Sequence, residues 1–114
     1  GAEMTGVGAR VEGSSAGPHG ALPSKRPTAR LMRMPMATGV PEQIVSANDA
    51  AADVTAYEAA HTISATTSGI TVDRETYRYF VTVEGEAGTN ATDLLSVYSA
   101  WAMVKPLRAD KRAA

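Results

Sequence analysis

The stretch ETYRYFVTVEGE, residues 75–86, alternates regularly between side chains of opposite character. One set comprises Tyr77, Tyr79, Val81 and Val83, and the other Thr76, Arg78, Phe80, Thr82 and Glu84. Because successive side chains of a strand point to opposite faces, this pattern predicts a half-buried strand with Phe80 on its second face. Residues 62–72 are rich in β-branched side chains, and a polar turn separates them from this strand. We therefore expect an antiparallel hairpin over about 62–84.

The segments on either side of this hairpin have apolar residues at helical spacing. Residues 41–60 begin with Pro41, which suits a first helical position, and continue with apolar residues at steps of three or four, namely Ile44, Ala47, Ala50, Ala51, Val54 and Tyr57. In residues 91–105 the apolar stripe follows Asn90, which suits an N-cap, and precedes Pro106. The stripe consists of Leu94, Val97, Tyr98, Trp101 and Val104. Both segments are predicted to be helices.

The first part of the chain lacks apolar periodicity. Residues 1–23 contain six glycines and two prolines. Such a segment buries too little apolar surface to offset an ordering entropy of about 1–2 kcal/mol per residue. We expect residues 1–39 to be an extended arm that partners order, residues 40–106 to form the domain, and residues 107–114 to be a charged tail. The predicted fold class is thus α+β: a small antiparallel sheet with two helices and a long N-terminal arm.

Composition restricts the function. The 114 residues include no cysteine, which excludes disulfides and thiolate chemistry, and the longest mainly apolar run is too short for a transmembrane helix. Residues 1–40 carry a net charge of +3 (five basic minus two acidic), whereas residues 41–114 carry −4 (six minus ten). This asymmetry is weak for nucleic-acid binding, which requires clustered cations. A soluble or peripheral protein is expected.

Candidate catalytic groups are few. Glu58 and His61 have the i, i+3 spacing with which helical proteins direct two ligands to one metal, but the accompanying carboxylates are missing. Asp49 and Asp53 lie one turn apart on the predicted helix, in polar surroundings typical of a solvated face. The sequence has no nucleophile-elbow or phosphate-loop motif. We expect neither enzymatic activity nor a metal or cofactor.

The segment SKRPTARLMRMPM, residues 24–36, is the predicted partner-binding region. Its arginines can pair with carboxylates, its methionines can fill irregular grooves, and its prolines favour an extended backbone. The predicted partner-binding residues are Lys25, Arg26, Arg30, Met32, Arg33, Met34 and Met36, together with Phe80 from the strand.

These features favour a non-catalytic structural or accessory subunit of a large assembly, such as an organellar complex or a virion, that docks on other protein subunits through its arm. A regulatory or coupling component that binds an enzyme is the first alternative. An RNA-associated structural protein is the second, although the modest positive charge makes nucleic acid the weaker partner class.

Overall fold

The structure, a computed structural model, describes residues 1–14, 26–85 and 94–106 and shows a β-sandwich. Its strands are β1 (Ala2–Ser14), β2 (Thr28–Pro35), β3 (Glu42–Asn48), β4 (His61–Thr71), β5 (Tyr77–Glu84) and β6 (Leu94–Pro106). One short helix, α1 (Val54–Glu58), precedes β4.

The strands form two antiparallel sheets of three. Sheet A has the order β4-β1-β6 and sheet B has the order β3-β2-β5, so the first two strands of the chain are the central ones. The sheets stack with β4 near β3, β1 near β2 and β6 near β5. Strands β2 and β3 are joined by a turn in which Gly39 has a φ of +69°, a conformation that glycine adopts without steric cost.

The core lies between the inner faces of the two sheets. Val7, Ala9 and Val11 of β1 are fully buried, and they share one cluster with Leu31 of β2 and Ile63 of β4. Their alternation with glycine or polar residues along β1 is the period of two that a strand requires. The core is small because several of its members are alanines, which contribute little apolar area.

The other face of β1 carries glycines, and large side chains from β6 cover them. A Cβ placed on Gly8 would lie 2.6 Å from the indole ring of Trp101, and one on Gly6 would lie 2.8 Å from the sulfur of Met103. These glycines therefore let aromatic and thioether groups lie directly on the backbone, which supplies the apolar contact that their own side chains lack.

The α+β prediction is wrong. Residues 42–48 and 94–106 are strands rather than parts of helices over 41–60 and 91–105, and α1 is the only helix in the described ranges. The expected hairpin over 62–84 is also wrong, because β4 belongs to sheet A and β5 to sheet B. The spacing of apolar residues in both segments favours a helix locally. Hydrogen-bonded pairing of β3 with β2 and of β6 with β1 instead makes these segments strands.

The long N-terminal arm of the predicted fold is wrong as well. β1 and β2 are the central strands of their sheets, and the expected boundary near residue 40 falls in the connection between two paired strands. The expected tail over 107–114 lies outside the described residues. No helix in the part of the chain that the structure describes has the length and apolar character needed to cross a membrane.

Candidate functional site

The outer face of sheet B brings together several of the predicted partner-binding residues. Met32 of β2 lies directly opposite Phe80 of β5 in the strand register, and Met34 lies opposite Arg78. Alternation places these side chains away from the core, since Leu31, Tyr79 and Val81 belong to the core cluster or pack against it. Met32, Met34 and Phe80 form what we call the methionine face.

The methionine face is apolar and partly open to solvent. Phe80 is 37% exposed. Met36, which lies outside this face in the turn that follows β2, is 43% exposed. Met32 and Met34 are half-buried. Exposed aromatic and thioether groups on adjacent strands form a surface that can adapt to an irregular partner, because methionine has several accessible rotamers.

Two of the arginines that were predicted to pair with carboxylates of a partner instead form ion pairs with carboxylates of this chain. Arg30 forms an ion pair with Glu84 on the adjacent strand and donates from Nε to Gln43 Oε1 at 3.1 Å. Arg33 donates from Nε to Glu42 Oε1 at 2.9 Å.

Arg33 makes a second contact, and Arg26 also has a partner within the chain. The Arg33 guanidinium lies 4.3 Å from the ring centroid of Tyr77, which is a cation–π distance. The hydrogen bond to Glu42 raises the pKa of Arg33 above its ordinary value, against an opposing effect of burial. Arg26 donates to the carbonyl oxygen of Ala51 at 2.6 Å. Lys25 lies outside the described residues.

A second candidate site is the contact between Asp49, which follows β3, and His61, which begins β4. The His61 Nε2 atom lies 2.6 Å from Asp49 Oδ2, and Nδ1 lies 2.7 Å from the carbonyl oxygen of Ala59. The other Asp49 oxygen accepts a hydrogen bond from the Ala51 amide at 2.9 Å. Asp49 is buried, and both of its carboxylate oxygens have partners.

The protonation state of His61 follows from these partners. Both ring nitrogens face oxygen acceptors, so the doubly protonated imidazolium can donate at each position. Burial lowers the pKa of His61, but the hydrogen bonds to Ala59 and Asp49 and the charge of Asp49 outweigh it, so the pKa lies above its ordinary value.

A cleft of about 350 Å³ adjoins this pair and is lined in part by Asn48, Thr62 and Ser64. A hydroxyl in the cleft would need a free imidazole nitrogen as a general base, yet both nitrogens of His61 are engaged. The arrangement therefore links the end of β3 in one sheet to the start of β4 in the other by a hydrogen bond, which is an ion pair when His61 is protonated. It does not have the geometry of a catalytic dyad.

The other carboxylate hypotheses depended on a helix that does not form. Asp53 is the N-cap of α1, where its side chain accepts from the Ala56 amide, and it is not paired with Asp49. Glu58 ends α1, whereas His61 begins β4. Within the described ranges no three His, Asp or Glu side chains are grouped so that they could hold a metal ion.

The Asp49–His61 pair was not anticipated from sequence. The two residues are twelve positions apart, and only the crossing from β3 to β4 brings them together.

Neither a family model, nor a curated protein, nor a solved structure matches this chain.

Proposed function

We propose that this chain is a non-catalytic structural or accessory module of a larger protein assembly and that it docks on another subunit through the methionine face. The observation that carries the proposal is the direct cross-strand pairing of Met32 with the exposed Phe80, flanked by Met34. Adjacent apolar side chains of this kind, surrounded by polar groups, are typical of contact surfaces.

The state of the arginines supports a protein partner over a nucleic acid. Arg30 and Arg33 are held by Glu84 and Glu42, which neutralise cations that a phosphate backbone would require. Arg30 shares the outer face of sheet B with Met32, whereas Arg33 lies opposite Tyr79 on the other face. Burial of Phe80 and Met32 against another protein would supply the hydrophobic centre of an interface, with the Arg30–Glu84 ion pair at its rim.

The test uses a photoreactive phenylalanine analogue in place of Phe80, in the full chain expressed in its native host. We expect a crosslinked product of one defined mass that excess unlabelled wild-type chain suppresses and excess Phe80→Glu chain does not. The same analogue at Ser64, an exposed position on the outer face of sheet A, is the matched control. Absence of a saturable product, or equal competition by the Phe80→Glu chain, would overturn the proposal.

A further inference from the structure

The strand β6 is an unusual edge strand. It is thirteen residues long, pairs with β1 alone among the described strands, and has no charged residue from Leu94 to Val104. Edge strands are ordinarily protected by charges, by proline or by irregular backbone, since their free N–H and C=O groups can pair with another chain.

The other edge strands differ in this respect. β5 carries Arg78 and Glu84, and β3 carries Glu42 and is irregular at Ile44, where the register with β2 shifts. β4 is uncharged after His61 but is dominated by serine and threonine. Among the four edge strands described, β6 is therefore the one that is both long and mainly apolar.

The regular part of β6 begins after an irregularity. Arg10 and Val11 of β1 pair with Ser99 and Val97, so Tyr98 is an extra residue in β6. From Ser99 to Met103 the pairing with β1 is uninterrupted. A second shift falls between Met103 and Val104, but its extra residue, Thr5, belongs to β1, so β6 has no inserted residue from Ser99 to Lys105. This part of β6 can present a regular backbone to a second strand.

The direction of the free backbone groups follows from one contact. The carbonyl oxygen of Met103 lies 3.5 Å from Thr5 Oγ1 of β1, so it points towards β1. Because the backbone groups of successive residues in a strand point to opposite sides, those of Ala100, Ala102 and Val104 point to the open edge.

We infer that two copies of this chain pair through their β6 strands, antiparallel and centred on Ala102, to form one continuous six-stranded sheet. In this register Trp101 faces Met103 of the second copy, and Ala100 faces Val104. Each copy uses the same surface, as a twofold contact requires.

The side chains support a second copy as the occupant. Val104 is 54% exposed in the single chain, and Ala100 is also exposed. Pairing of two β6 strands would bury the apolar surface of Val104 and Ala100 against each other. Lys105 falls opposite Ser99, whereas a parallel arrangement would place Lys105 opposite itself, and like charges directly opposed are unfavourable. The strand is thus complementary to its own antiparallel copy.

The absence of cysteine makes the register directly testable with single-cysteine variants. Facing residues that exchange hydrogen bonds have Cα atoms about 5.5 Å apart, within the range of a disulfide. We expect Ala102→Cys to form disulfide-linked dimers about tenfold faster than Ala100→Cys, because the two Ala100 positions would be separated by roughly 13 Å along the strands. The double variant with cysteines at positions 100 and 104 should crosslink as readily as Ala102→Cys. Ser64→Cys, on the opposite edge strand, should not crosslink.

A second measurement is the mass in solution by sedimentation equilibrium. The wild-type mass should rise from 11.9 kDa towards twice that value with concentration. Ala100→Pro, which removes only an outward N–H, should remain monomeric at every concentration. A wild-type chain that stays monomeric, or an Ala100→Cys variant that crosslinks as fast as Ala102→Cys, would overturn the inference. Should Ala100→Pro fail to fold, the cysteine rates alone decide.

Discussion

The indole ring of Trp101 lies across Gly8, the residue directly opposite it on β1, so closely that a Cβ on Gly8 would be 2.6 Å from two carbons of the ring. Large and minimal side chains are thus matched across two adjacent strands. This contact explains how a glycine-rich strand can occupy the centre of sheet A.

The first prediction concerns this contact. Gly8→Ala should lower the free energy of unfolding by about 1–3 kcal/mol, because the added methyl group must displace the Trp101 ring. Urea unfolding followed by circular dichroism measures the change, and the fluorescence of Trp101, the single tryptophan of the sequence, reports the displacement.

Ser64→Ala is the control, since Ser64 is exposed and flanks Gly8 on β4. In a Trp101→Leu background the cost of Gly8→Ala should shrink, because the smaller side chain leaves room for the methyl group. An equal cost in both backgrounds would show that the indole ring is not what excludes a side chain at Gly8.

The second prediction concerns pH and the Asp49–His61 pair. The pKa of His61 in the folded state is raised, so the stabilisation is fully present below the ordinary pKa of about 6.5 and is lost as pH rises through the folded-state value. The free energy of unfolding should therefore fall with rising pH in a window that begins near 6.5. Denaturant titrations at closely spaced pH values measure this slope.

Asp49→Asn should flatten the slope, and below the window it should cost about 1–3 kcal/mol through loss of a charged, buried hydrogen-bond acceptor. His19→Gln, which replaces the second histidine of the sequence, serves as the control and should leave the slope in place. Should Asp49→Asn retain the wild-type slope, the pH dependence would have another origin.

The third prediction concerns the cap of α1. Asp53 Oδ1 accepts from the Ala56 amide at 2.8 Å, and the helix places Tyr57, which is 3% exposed, against Gly13 of β1. Asp53→Ala should cost about 1 kcal/mol, whereas Asp53→Asn should cost little because the amide oxygen also accepts. Thermal and urea unfolding of both variants provide the comparison. Equal losses for the two would argue against capping as the cause.

Sequence alone identified the strand over residues 77–84 and the face it buries. Tyr79, Val81 and Val83 pack against the core, and Phe80 is exposed on the other face, as the alternation predicts. This element was predictable because its period of two is uninterrupted. Its partner strand was not, because hairpin pairing is only the simplest local choice and the chain instead crosses between sheets.

Two other strands, β6 and β1, were not predicted from the sequence, and the structure shows why. In β6 the extra residue Tyr98 interrupts the period of two and creates apolar spacings of three and four that resemble a helix. In β1 the glycines at positions 6 and 8 gave no apolar signal, since Met103 and Trp101 supply the side chains that cover them. Neither effect can be detected without knowing which distant strand pairs with which.

The candidate site was predictable only in part. Arg30, Met32, Met34 and Phe80 were singled out by residue type, and the register of β2 with β5 brings them to one face. Their proximity depends on strand pairing between segments that are far apart in sequence, which composition does not encode. The contact between Asp49 and His61 likewise depends on tertiary structure, since Asp49 follows a strand of sheet B and His61 begins a strand of sheet A.

The last prediction tests whether residues 28–35 are a central strand or a detachable extended segment. Leu31 is 1% exposed in the core, whereas Met32, the next residue, points to the opposite face. Leu31→Ala should lower the free energy of unfolding by about 2–5 kcal/mol through the cavity it leaves. Met32→Ala should cost about 1 kcal/mol or less, because Met32 is only half-buried and mainly loses its cross-strand pairing with Phe80. Urea unfolding of the two variants under identical conditions provides the comparison. Small and similar costs at both positions are the outcome expected of an arm that lies outside the core, and they would contradict the central placement of β2.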